Sequence, residues 1–253
     1  MAIGVLLTAP TGLVCALLIS AFLLLPASYA QQTIFNVPSA DVTPKDQIYL
    51  EQESQFKPWK PNAFWLGTHY AAYGIGHHTE IDTTLSNVSA PASGNVVLGL
   101  GFKSNLPLLI KRLPERELKL TVGNLTPISL QGQGVGTWSY AHLSGRLPRL
   151  NTRLTAGVSV GTKQLFGRNT VGFIGGYEQP ITQRFSLIGD WFSGTHANGY
   201  FIPGFSYVLK GTTILFVGYQ IPNTKRVGPQ GFVIEVSTLV PTKRSINGPT
   251  TSK

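Results

Sequence analysis

Apolar and polar residues alternate with a period of two through most of the chain after residue 30. In Arg153–Gly161 every second residue is leucine, alanine or valine, and the residues between them are arginine, threonine, glycine or serine. The same alternation recurs in 185–194 and 200–209. Because successive side chains of a strand point to opposite faces, the pattern predicts strands with one apolar face and one small, polar face.

Twelve segments follow this pattern, and no window of eleven or more residues after Ala30 keeps helical spacing without an interrupting Gly or Pro. Their lengths mostly match the roughly 9–11 residues of a tilted spanning strand, and an even count suits a closed antiparallel sheet. We therefore expect an all-β, up-and-down antiparallel transmembrane β-barrel over residues 46–240. The predicted strands are 46–56, 64–76, 79–89, 95–106, 118–130, 134–147, 153–162, 169–181, 185–194, 199–209, 212–222 and 231–240.

Several predicted links are short and rich in turn residues, which indicates sequential hairpins and favours a meander over a Greek key. They are His77-His78 and residues 131–133, 182–184 and 210–211. With the N-terminus in the periplasm, the links at 57–63, 163–168, 195–198 and 223–230 would be extracellular. The 107–117 link is long on the side where short turns are expected.

The composition of the two faces favours a lipid-facing barrel. Opposite the apolar residues lie many glycines, among them Gly99, Gly123, Gly157 and Gly176. A small soluble barrel fills its interior with bulky side chains, and glycine does not do so. Aromatic residues near strand ends are expected at the membrane interfaces: Trp65, Tyr140, Trp191, Tyr200, Tyr207 and Tyr219. A soluble β-sandwich with an aromatic core is the alternative.

The first 30 residues resemble a removable signal peptide. Residues 12–26 form an apolar run, and Ala-Ser-Tyr-Ala at 27–30 places small residues where a signal peptidase cleaves. An extended lead (31–45), the barrel (46–240) and a polar tail (241–253) would follow. The first cation is Lys45, so an uncleaved anchor is an alternative, and lipid attachment at Cys15 is a weaker one. Cys15 is the single cysteine, which leaves no disulfide or thiolate site after cleavage.

The amount and distribution of charge limit the classes of partner that the protein is expected to bind. Only 12% of residues are charged, against roughly 25% in soluble domains, and the net charge is +9. The cations are scattered singly, which argues against nucleic-acid binding and suits loops near anionic lipid headgroups. Membrane lipid is thus the expected partner, and the oligomeric state stays open.

Charges on the predicted lumen face are the candidate functional residues: Glu80, Asp82, Lys103, Arg153, Glu178, Asp190 and Glu235. In a pore they would set ion selectivity, whereas paired across a closed interior they would plug it. We expect no cofactor and no metal site, because no histidine spacing supplies converging ligands. A hydrolase built from His142, Ser139 or Ser144, and Asp190 lacks a Gly-x-Ser-x-Gly elbow, so no catalytic residue is predicted and an enzyme is disfavoured.

The strand pattern over 46–240 resembles that of bacterial outer-membrane β-barrel proteins. The lead from Thr33 to Lys45, running into Gln47-Ile-Tyr-Leu-Glu51, is similar to the start of uncharacterised Gram-negative and cyanobacterial barrels. The resemblance implies the bacterial outer membrane and its assembly machinery as a partner, although the polar tail replaces the usual terminal aromatic residue. Three hypotheses follow: a passive pore for small solutes, a plugged structural or lipid-modifying barrel, or a secreted sandwich that binds polysaccharide.

Overall fold

The structure is a computed structural model that describes residues 32–59, 64–90, 95–108, 117–168 and 170–242. The predicted signal peptide, residue 31 of the lead and residues 243–253 of the tail lie outside the described residues. Within those ranges, no helix is long and apolar enough to cross a membrane.

Twelve antiparallel strands close into a single barrel, and each strand pairs with its neighbours in the chain. The first and last strands complete the closure, in a register from Gln47 opposite Pro241 to Phe56 opposite Phe232. The predicted up-and-down barrel is confirmed, and the alternative β-sandwich is wrong. The strands are β1 Gln47–Lys57, β2 Phe64–Gly76, β3 Thr79–Ala90, β4 Val97–Pro107, β5 Lys119–Ser129, β6 Trp138–Arg146, β7 Arg153–Gly161, β8 Val171–Pro180, β9 Phe185–Phe192, β10 Tyr200–Lys210, β11 Thr213–Pro222 and β12 Gly231–Pro241.

The predicted bounds match closely except at β6. That strand begins at Trp138 rather than at residue 134, because Gly132 and Gly134 adopt positive φ angles of 76° and 110° in the preceding loop. A one-turn helix that the sequence pattern did not indicate, α1 (Lys163–Phe166), lies between β7 and β8.

The barrel has two distinct mouths. We call the end where Asp46 leads into β1 the near mouth; the turns at 77–78, 181–184 and 211–212 lie there. The opposite end, the far mouth, carries the links at 130–137, 162–170, 193–199 and 223–230. These longer links fall on the end predicted to be extracellular. The long link between β4 and β5 is at the near mouth, as the sequence predicted for 107–117, and residues 109–116 of it lie outside the described residues.

The outer surface is largely apolar, with a few polar residues such as Gln52 and His69 among the apolar ones. Along β7, Val158 is 44% exposed, whereas its neighbours Gly157 and Ser159 face inward. Phe173 on β8 is 66% exposed, and Leu100, Ile234 and Trp191 are exposed on other strands. An apolar band of this extent is unfavourable in water and is what a hydrocarbon core requires of a spanning barrel.

This orientation predicts a depth-dependent cost for charge on the outer face. Val158→Arg, near the middle of β7, is expected to lower the free energy of unfolding in lipid vesicles by about 2–4 kcal/mol. Leu150→Arg, in the turn before β7, is the matched control and should cost about 1 kcal/mol or less. Denaturant unfolding followed by tryptophan fluorescence measures both. Equal costs at the two positions would contradict the lipid-facing orientation.

Candidate functional site

The lead occupies the lumen. Described from Gln32 to Lys45, it forms a small hairpin in which Thr33 pairs with Pro38 and the N–H of Ile34 donates to the carbonyl of Val37 (2.8 Å). The tip of the hairpin lies deep in the barrel, and the N–H of Asp46 donates to the carbonyl of Gly74 at the near mouth. Ile34, Phe35 and Val37 are almost completely buried.

Glycines of the inner wall make room for the lead. A methyl group at Gly176 would lie 2.2 Å from Cδ1 of Ile34, and one at Gly204 or Gly218 would lie 2.7 Å from the ring of Phe35. At Gly74 a methyl group would overlap the backbone of the lead itself. The glycine-rich inner face therefore does not enclose an open channel at these positions, because the lead fills the space.

Asp190 on β9 holds the tip. Its Oδ2 accepts hydrogen bonds from three consecutive backbone N–H groups, those of Phe35 (3.0 Å), Asn36 (2.7 Å) and Val37 (2.6 Å). Successive N–H groups that converge on one anion form a nest, and bonds to a charged acceptor are stronger than neutral ones. One side chain thus satisfies a turn of backbone that would otherwise be buried without partners.

Glu80 and Lys103 hold the lead closer to the near mouth. Oε2 of Glu80 accepts from the N–H of Thr43 (2.6 Å) and from Nε2 of Gln32 (2.8 Å). Nζ of Lys103 donates to the backbone carbonyl of Gln32 (3.0 Å) and lies 3.2 Å from Glu80. Both side chains are at most 1% exposed, so the ion pair is sheltered from solvent.

Arg153 clamps the lead at the near mouth. Its Nη1 and Nη2 each donate to Asp41 at 2.8 Å, and its Nε donates to Glu178 (2.7 Å). Burial by itself raises the pKa of Asp41, but the charge and hydrogen bonds of Arg153, with the charge of Lys119, lower it to about 2. This contribution to stability is present above the ordinary value of 3.8 and is lost as the pH falls toward 2.

Apolar contacts complete the packing of the tip. Phe35 lies in a buried cluster with Ile188, Ile202 and Phe216, whereas Val37 packs in a second cluster that includes Phe166 of α1 and Phe192. The rings of Phe166 and His196 lie 4.5 Å apart, so the links at 162–170 and 193–199 contribute side chains that cover this end of the lumen. The inner wall is consequently less uniformly small and polar than expected, because large apolar residues surround the tip.

The inner face carries all seven charges singled out in the sequence. Asp190, Glu80, Lys103 and Arg153 bond to the lead, and Glu178 reaches it through Arg153. Two do not bond to the described part of the lead: Asp82 accepts from the hydroxyl of Tyr70 (3.2 Å), and Glu235 on β12 has no hydrogen-bond partner among the described residues.

The predicted interfacial aromatics divide into two groups. Trp65, Trp191, Tyr207 and Tyr219 are on the outer face. Tyr140 and Tyr200 point into the barrel and are 8% and 6% exposed, so the expectation that they contact lipid headgroups is wrong. Tyr140 lies over the inner-wall glycine Gly123, and both rings pack in the apolar clusters, because their parity along β6 and β10 is that of the lumen.

The candidate hydrolase residues do not assemble. Ser139 is on the outer face. His142 lies 3.4 Å from Ser144, but two strands, β7 and β8, separate it from β9, which carries Asp190. His77 and His78 form an exposed turn at the near mouth. Among the described residues, no group of three or more His, Cys, Asp or Glu side chains could hold a metal ion.

Asp41 and Gln32 were not among the predicted site residues, because residues 31–45 were interpreted as an extended lead before the first strand. Its apolar Ile34-Phe35-x-Val37 core was the available signal, since a segment exposed to solvent has little reason to carry it.

No family model matches the chain, and no curated protein matches it. Solved structures with a similar chain course include a COG4313 outer membrane channel from Pseudomonas putida F1 (11% identity, TM-score 0.46, covering 85% of this chain and 98% of that one). Another is the outer membrane protein Omp33 of Acinetobacter baumannii (8% identity, TM-score 0.45, 78% and 99%). The assignment of the fold rests on the closed sheet itself.

The hydrogen bonds at Asp190 predict how firmly the lead is held. In a Cys15→Ser background, a cysteine at buried Ala40 should react slowly with a maleimide. Adding Asp190→Asn removes the charge from three bonds, each worth about 1.5–3 kcal/mol, and should raise the labelling rate at least tenfold. Asp82→Asn is the matched control, because Asp82 bonds to Tyr70 and not to the lead. Equal labelling rates in the two variants would contradict the role of Asp190.

Proposed function

We propose that the protein is an outer-membrane channel for small solutes whose resting state is closed by its own N-terminal lead. The observation that supports this proposal is the position of residues 32–43, which lie inside the barrel and are not part of its twelve strands. The twelve strands close into a barrel without using the lead as a strand. When the lead moves out, the barrel therefore encloses a continuous lumen. The protein therefore has the two parts of a gated pore, a conduit and a removable occupant.

The outer membrane is the location that suits this barrel. A closed sheet leaves no unpaired strand edge in lipid, and the exposed apolar residues supply the lipid contact. The short turns at 77–78 and 211–212 fit a periplasmic near mouth, and the longer links of the far mouth fit the cell surface. In that orientation the lead enters the lumen from the periplasm.

The contacts of the lead favour a closure that can be reversed. The described lead is joined to the barrel wall by hydrogen bonds, ion pairs and apolar contacts, and it continues into β1 at Asp46. Space also remains around it: a cavity of about 860 Å³ opens at the near mouth beside Asp41 and Arg153, and one of about 120 Å³ separates the lead from the wall.

A permanently plugged structural barrel is the second candidate. The full burial of Ile34 and Phe35 in an apolar cluster favours it, because moving these side chains into water costs roughly 1.5–3 kcal/mol each. The two candidates differ in whether the barrel conducts ions when the contacts of the lead are weakened.

Conductance in planar bilayers separates these candidates. The wild-type protein is expected to be closed most of the time with brief openings, and Asp190→Asn should raise the open probability at least about tenfold, because it weakens the hold on the tip. Asp82→Asn should leave the open probability near the wild-type value.

Retention of the heat-sensitive mobility shift on gels confirms that each variant is folded. Folded Asp190→Asn protein that never conducts would overturn the channel function and support the structural barrel.

A further inference from the structure

The lumen concentrates negative charge in a basic protein. The chain has 20 Lys and Arg residues and 11 Asp and Glu residues. In the described strands, however, the inner face carries seven carboxylates and only five cations. The carboxylates are Glu51, Glu53, Glu80, Asp82, Glu178, Asp190 and Glu235, and the cations are Lys57, Lys103, Lys119, Arg146 and Arg153.

The inner cations lie mostly at the mouths. Lys119, Arg146 and Arg153 are end residues of their strands at the near mouth, and Lys57 ends β1 at the far mouth. Lys103 lies between the two mouths and is already paired with Glu80. We call the wall formed by β12, β1, β2 and β3 the acidic wall. Its middle carries four more carboxylates, and none of them forms an ion pair with a cation on those strands: Glu51, Glu53, Asp82 and Glu235.

Glu235 is the least compensated of these groups. It is fully buried, and within the described part of the chain neither of its carboxylate oxygens has a hydrogen-bond partner. Its direct neighbour across the β1–β12 pair is Glu53, and the charges that act on it are those of Glu51, Glu53 and Asp190. Like charges opposite each other destabilise a sheet, and a buried carboxylate without a partner is costly unless a cation or a proton neutralises it.

Space for a mobile cation lies beside this wall. The cavity of about 120 Å³ separates the lead from the strands. Three carboxylates line it, those of Glu51, Glu53 and Asp82, and one cation, Lys103, which is already paired with Glu80. This volume holds several water molecules. Since no compact metal centre is present among the described residues, the arrangement fits ions that pass along the wall rather than one bound tightly.

We propose that the acidic wall makes the lumen selective for small cations. The inference rests on the proposed channel function and names the class of solute. When the lead moves aside, the open path runs past Glu53, Glu235 and Asp82, whose charges attract cations and exclude anions within a narrow, low-dielectric space. At the near mouth Arg153 remains paired with Glu178, and Arg146 with Glu117, when Asp41 leaves with the lead, so most of the positive charge there stays neutralised.

The test is the reversal potential of the full protein in planar bilayers under a potassium chloride gradient, with Asp190→Asn used if wild-type openings are too brief. The dilute side should become positive, with potassium about 5-fold or more as permeable as chloride. The Glu53→Gln/Glu235→Gln variant, which keeps side-chain size, should reduce that ratio at least about 2-fold. Glu117→Gln is the control, because Glu117 is 58% exposed at the near mouth and should leave the ratio unchanged.

Each outcome decides between the claims. Absence of conductance from folded wild-type and Asp190→Asn protein overturns the channel function and this inference with it. Conductance that is anion-selective or unselective overturns the inference alone. Cation selectivity that survives Glu53→Gln/Glu235→Gln, as it would if the two carboxylates share a proton and carry little charge, also overturns the role given to the acidic wall.

Discussion

A closed sheet of twelve strands has to fill the space that it encloses, and the other features of this structure follow from that constraint. Glycine on β2, β8, β10 and β11 leaves the interior open where bulky residues would otherwise pack. The lead fills that space with Ile34 and Phe35. The outer face can then remain apolar for lipid, because the barrel finds its interior packing in its own N-terminal segment and not in a second sheet.

The backbone N–H and C=O groups of the buried lead need hydrogen-bond partners, and charged residues of the wall supply them. Asp190 accepts from three N–H groups of the turn, whereas Lys103 donates to a carbonyl of the lead and Glu80 accepts from an N–H. These contacts provide hydrogen bonds for the polar groups of the lead while it lies in the lumen. Water can provide them instead when the lead leaves. The apolar tip opposes release, and the balance of the two sets how often the lumen opens.

The fold was largely predictable because apolar and polar residues alternate along the sequence with the period of two that a strand requires. Arg153–Gly161 shows the two faces without exception, and turns such as His77-His78 fixed the hairpin order. Tyr140 and Tyr200 were misplaced because aromatic residues serve equally at lipid interfaces and in cores, and only their parity separates these roles. The position of the lead depends on contacts across more than 150 residues, such as Phe35 to Asp190, which no local pattern encodes.

The most direct measurement of the central claim is a disulfide between the lead and the inner wall. In a Cys15→Ser background, cysteines at Ile34 and Gly176 should crosslink on mild oxidation, because Ile34 occupies the space beside Gly176. Mass spectrometry of the digested protein detects the joined peptides. Cysteines at Ile34 and Phe173, which is on the outer face of the same strand, should not crosslink. A folded barrel in which Ile34 and Gly176 fail to join would contradict the account of a lumen filled by the lead.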